Sequence, residues 1–147
     1  NTDEVVVHRL DGSGERRVLF EGYRFFRPRF SPDGSKLVVT ESRSQGAHLW
    51  LVDLENGTKT ELGPGNQPDW SADGQSLVFV RLENDGHRHT ASSVVLIDLR
   101  TQTKRLLART TNPIVLEPRL SPDGRWVAFV GEETGELMMA RVPEEGR

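Results

Sequence analysis

The chain contains no cysteine, which excludes a disulfide framework and a thiolate metal site. It has no apolar stretch long enough to cross a bilayer as a helix and no signal-peptide pattern, so no membrane insertion is expected. Extended basic runs are absent, and the formal net charge is −3, which argues against nucleic acid as a partner. No segment carries a helical period of apolar residues. Nor is there a Gly-x-Ser-x-Gly elbow, or a Ser, His and Asp spaced as a triad. The one phosphate-loop lookalike, Asp11-Gly12-Ser13-Gly14, reads as a hairpin turn instead of a strand-to-helix cradle. These absences predict a chain that is not an enzyme and uses no cofactor. The first residue is not methionine, which points to a processed or excised chain. At 147 residues the chain fits one domain with a real core.

One short phrase is present three times. It reads Pro28-Arg29-Phe30-Ser31-Pro32-Asp33-Gly34, then Pro68-Asp69-Trp70-Ser71-Ala72-Asp73-Gly74, then Pro118-Arg119-Leu120-Ser121-Pro122-Asp123-Gly124, at spacings of 40 and 50 residues. A period in this range marks an array of one supersecondary unit. Ser-Pro-Asp-Gly suits a type I turn: Pro presets φ at the second position, and Gly closes the fourth. Short strands precede each turn. Apolar runs follow it: Lys36–Thr40, Ser76–Val80 and Trp126–Val130. Continuous apolarity, as opposed to strict alternation, predicts strands covered on both faces.

A third strand recurs four times, as Val5–Leu10, Leu49–Leu54, Val94–Leu99 and Leu137–Val142, with ends 44, 45 and 43 residues apart. A more polar fourth strand follows at Arg17–Phe20, Thr58–Leu62 and Thr103–Leu107. Four strands per repeat, apolar within and polar at the outer edge, make the blade of a β-propeller. The fold class is therefore all-β: a partial propeller of about three four-stranded antiparallel blades. The expected divisions are a half blade at 4–20, blades at 28–62 and 68–108, and an incomplete blade at 118–142. Closed propellers typically have about 4–8 blades. Three cannot close alone, so either the chain joins the rest of a longer propeller or it forms a homo-oligomer, most simply a dimer closing about six blades.

The phrase Pro-x-aromatic-Ser-Pro-Asp-Gly-x-x-aliphatic-x-Phe, followed by an aliphatic-Asp-Leu strand, resembles the WD-like repeat of TolB-like propellers. The same repeat occurs in the non-catalytic propellers of prolyl-oligopeptidase-type and tricorn-type serine peptidases. The resemblance covers residues 4–147. It implies the fold and leaves function open, because the motif residues are structural. Its implied roles are a protein- or peptide-binding scaffold or a peptidase's propeller segment, beside a self-assembling fragment with no ligand of its own. TolB-like proteins are typically exported, so the resemblance implies a periplasmic or otherwise exported protein, with a cytoplasmic one not excluded.

Several constellations invite a sharper reading. Asp33, Asp73 and Asp123 lack the alternating acidic ligands of a calcium loop; turn aspartates bonding nearby backbone account for them. They also lack the spacing of a sialidase Asp-box, because Gly follows Asp directly. His87 and His89 would point the same way on an extended chain and could hold a metal, but a solvated hairpin loop is the plainer reading. Asp53 and Asp98 share a position where Arg9 and Arg141 stand in the flanking copies; carboxylates bonding the backbone of the next turn explain them. No metal site is expected. The first strands remain, since they line a propeller's channel. Arg27 and Arg29, Gln67 and Asp69, Glu117 and Arg119 are the candidate binding residues. The nearby apolar clusters, Tyr23–Phe26 and Ile114–Leu116, either form a peptide-binding mouth or simply pack between blades.

Overall fold

The computed structural model describes residues 4–21 and 24–144. These form thirteen strands and no helix. Strands β1 (Glu4–His8) and β2 (Arg16–Glu21) pair as a two-stranded sheet. Strands β3 (Arg24–Phe30), β4 (Lys36–Arg43), β5 (Gly46–Asp53) and β6 (Lys59–Pro64) form a four-stranded sheet in chain order. The next sheet repeats that order with β7 (Asn66–Trp70), β8 (Ser76–Asn84), β9 (His89–Asp98) and β10 (Lys104–Thr110). The last has three strands: β11 (Val115–Leu120), β12 (Trp126–Gly131) and β13 (Leu137–Arg141). All pairings are antiparallel. This is an all-β, partial propeller: a half blade, two full blades and a three-stranded blade.

The threefold phrase folds the same way each time. The N–H of Gly34, Gly74 and Gly124 donates to the carbonyl of Ser31, Ser71 and Ser121 at 2.9, 2.9 and 2.8 Å. Each serine hydroxyl donates to its aspartate at 2.6 Å and accepts the N–H of Lys36, Ser76 or Trp126. Each aspartate also accepts a backbone N–H two residues on. The glycines sit at φ of 74°, 70° and 69°, where a Cβ is costly. Ala72 loses the preset φ of proline, but serine, aspartate and glycine hold the turn without it.

Apolar contact runs between blades. Leu19, Leu37 and Val52 join the half blade to the first full blade. Val38, Leu49, Leu62, Trp70, Leu77, Phe79, Val95 and Ile97 join the two full blades. Val78, Val94, Leu96, Val115, Val127, Phe129 and Val142 bind the last blade to its neighbour. Alternate residues of β4 and β8 thus serve opposite interfaces, which is why their runs are continuously apolar.

The outer faces lack such cover. Leu49, Val94 and Leu137 occupy one position, opposite Thr40, Val80 and Val130. The first two are fully buried, and Leu137 is 72% exposed. At the other end Phe30 is 57% exposed, whereas its counterpart Trp70 is buried at 9%. Pro28 is exposed, while Pro68 and Pro118 are buried.

Candidate functional site

Each first strand begins upstream of its proline, earlier than the expected divisions, because the residue before proline sits in a bulge within the strand. Pairing skips from Phe26 to Arg29, from Asn66 to Asp69 and from Leu116 to Arg119. The skipped residues are Arg27-Pro28, Gln67-Pro68 and Glu117-Pro118. Proline has no N–H for the ladder. Arg27, Gln67 and Glu117 have φ of 52°, 54° and 53°, a left-handed conformation that L side chains adopt at a cost. Residues before proline normally prefer extended backbone. The same exception recurs three times on the innermost strands. Such strain concentrates at functional sites.

Strand β7 lies against both β3 and β11, so the six candidate residues share one wall. They divide into two groups. Gln67 is buried, and its Oε1 accepts the N–H of Glu117 at 2.8 Å. Asp69 is half-buried, and its Oδ2 accepts the N–H of Leu120 at 3.2 Å. Both tie the middle blade to the last. Arg27, Arg29, Glu117 and Arg119 are exposed. Arg27 lies over the Phe26 ring at 5.5 Å and donates to Asn66 Oδ1 at 3.2 Å. Arg119 reaches the carbonyl of Pro118 at 3.3 Å. The carbonyl of Arg29 accepts Trp70 Nε1–H at 3.0 Å, which anchors that backbone to the middle blade.

Of the two apolar clusters, Tyr23 lies outside the described residues. Phe25, Phe26, Ile114 and Leu116 are half-buried. Phe25 stacks on Phe20 of the half blade, with centroids 4.5 Å apart. Phe25 and Phe26, with Pro28, Phe30 and the edge of β1, line a groove of about 400 Å³. A larger cavity of about 970 Å³ opens between the last two blades, among the β8–β9 hairpin, Asn112, Ile114 and Glu132.

His87 does not share an extended strand with His89. Residues 86–88 bend, and Asp85 Oδ1 accepts the N–H of both His87 and Arg88. His89 Nδ1 stands 3.6 Å from Glu132 across the blade boundary. Among the described residues no three His, Asp or Glu converge as a metal site would require. Asp53 and Asp98 bond the backbone of the following turn, at Glu55 and Thr101.

One cluster was not visible in the sequence. Glu41, buried on β4, accepts hydrogen bonds from Trp50 Nε1 and Arg43, both at 2.8 Å. Arg43 also reaches Glu61, which contacts His48 Nδ1 at 2.8 Å. Burial alone would raise the Glu41 carboxyl; the bonds from Arg43 and Trp50 outweigh it and lower it. These five side chains come from three strands, as the i, i+2 pairs Glu41/Arg43 and His48/Trp50 and the single Glu61, and the sheet register brings them together.

No protein-family profile matches the chain. An uncharacterised protein of Agrobacterium fabrum is 27% identical over 122 residues, covering 79% of this chain and 39% of the relative. TolB from Acinetobacter baumannii superposes with a TM-score of 0.69 at 20% identity, over 97% of this chain and 38% of that one. The fold is that of a TolB-like β-propeller. An oligogalacturonate lyase in complex with manganese is similar too, with a TM-score of 0.68 at 20% identity over 95% of this chain and 41% of that one. A prolyl endopeptidase gives 0.69 at 19% identity, over 94% and 24%. The TolB-like fold is therefore shared by enzymes and by TolB itself. The chain spans about two fifths of the length of the first two relatives.

Proposed function

We propose that this chain is a non-enzymatic binding module that holds a protein or peptide segment against its inner strands. The observation carrying this reading is the threefold strained bulge at Arg27, Gln67 and Glu117, beside side chains that stay exposed while the rest of each blade packs. Arg27, Arg29, Glu117 and Arg119 would contact the segment; Gln67 and Asp69 would hold the blades that present them. The test is a peptide library selected on the immobilised chain, followed by titration of selected peptides against Arg27→Ala, Arg29→Ala, Glu117→Ala and Arg119→Ala. Altered binding in these variants is expected, weakened where an arginine contact is lost. Selected peptides that bind all four as well as the parent chain would sink the reading.

A second reading is favoured by the similarity to a prolyl endopeptidase: the chain is a propeller segment of a serine peptidase and filters substrates. A nucleophile elbow elsewhere in the parent reading frame would select it. In either case the two uncovered blade faces call for neighbours, supplied by the rest of a longer propeller or by a second copy completing about six blades. The TolB-like fold favours an exported protein, which cell fractionation tests.

A further inference from the structure

From the charge and anchoring of the inner strands, and resting on the peptide-binding reading, we infer that the bound segment is acidic: a peptide whose carboxylates are held by Arg29 and Arg119, flanked by Arg27. The chain as a whole is anionic, at −3, yet the first strands carry Arg24, Arg27, Arg29 and Arg119 against Asp69 and Glu117. All four arginines are exposed, and among the described residues none is paired with a carboxylate. Of the two carboxylates, Asp69 already accepts the N–H of Leu120, and Glu117 stands exposed on the same strand as Arg119.

The backbone carrying both arginines is anchored: Trp70 holds the carbonyl of Arg29, and Asp69 holds the N–H that follows Arg119. An anion docking there has to order the side chains but not the strands that bear them. Guanidinium matches carboxylate in a two-bonded, charge-assisted geometry.

The experiment uses short fluorescein-labelled peptides in which Glu, Ser or Lys alternates with Leu, each with a free and an amidated C-terminus. Anisotropy titrations are run on the parent chain and on Arg29→Glu/Arg119→Glu. The Glu peptide should bind roughly tenfold tighter than the Ser peptide and weaken as salt rises. The double variant should reverse the preference towards Lys. Circular dichroism of the variant controls for folding, and Arg29→Lys/Arg119→Lys should keep part of the affinity. Binding lost on amidation assigns the contact to the terminal carboxylate; binding kept assigns it to side chains. Equal affinity for Glu and Ser peptides, an unaffected double variant, or binding of oligogalacturonate without any acidic peptide overturns the inference. If selected library peptides need the inner-strand residues but are not acidic, peptide binding stands and acidity fails. If no peptide of any kind binds, both fail together.

Discussion

Asp33 shows how one side chain in the repeat reports on the fold. Its carboxyl is held down at about 2, from the usual 3.8, first by the Ser31 hydroxyl and then by the N–H and hydroxyl of Ser35. Asp73 and Asp123 are lowered for the same reason, led by Ser71 and Ser121. A carboxyl with a lowered folded value stabilises fully above its unfolded value and loses that contribution as pH falls through the folded one. Urea midpoints should therefore drop between about pH 4 and about pH 2. Asp33→Asn should flatten that slope while lowering the midpoint at neutral pH. Gly65 makes a different demand. A Cβ there would lie 2.6 Å from Phe79 Cδ2 and 2.9 Å from Leu49 Cδ1, both fully buried. Gly65→Ala should cost about 1–3 kcal/mol in equilibrium unfolding, because neither neighbour has room to move. Turn residues of the first kind are legible from sequence, since Ser, Asp and Gly act on near neighbours. The crowding at Gly65 is not, because its partners lie on other strands.

The first strand is where sequence and structure part company. Its existence follows from the run before each Ser-Pro-Asp-Gly turn. Its bulge does not, because Arg27, Gln67 and Glu117 carry side chains that disfavour φ above zero, and a following proline argues for extended backbone. In the last blade the bulge presents the N–H of Glu117 to Gln67 of the neighbouring blade, whereas in the middle blade the N–H of Gln67 bonds Asn66 Oδ1 on its own strand. Repeat position in the sequence singles out the six inner-strand residues, but only the cross-blade bonds divide them into blade ties and exposed groups. That division can be measured. Gln67→Ala should destabilise the chain by about 1 kcal/mol in urea unfolding, through loss of the bond to Glu117. Arg119→Ala, exposed and bonded only to the adjacent carbonyl, should stay within about 0.5 kcal/mol of the parent. A larger effect at Arg119 than at Gln67 would invert the assignment.

At the scale of the whole molecule, the repeat ends in two unlike surfaces. One is the face carrying Trp126, Leu137 and Met139, which are 41, 72 and 59% exposed; the other is the groove beside β1. Contiguous apolar surface of this kind marks an interaction site, and the edge strands β1 and β13 add unpaired backbone to it. Sedimentation of the isolated chain at micromolar concentration should show self-association that Leu137→Glu/Met139→Glu abolishes. A parent chain that sediments as a 16.5 kDa monomer would refute the expectation. The middle blade is unlike both ends, since Val78, Phe79 and Val80 are fully buried between two neighbours. Stability in stacked repeats is a sum over units and their nearest neighbours, so local opening should grow easier with distance from that blade. Amide deuteration would then proceed as a front, slowest in β8 and β9, faster in β4 and β12, and fastest in β1 and β13. The chain would come apart by shedding its ends, with the ties from Gln67 and Asp69 to the last blade released before the middle blade itself opens.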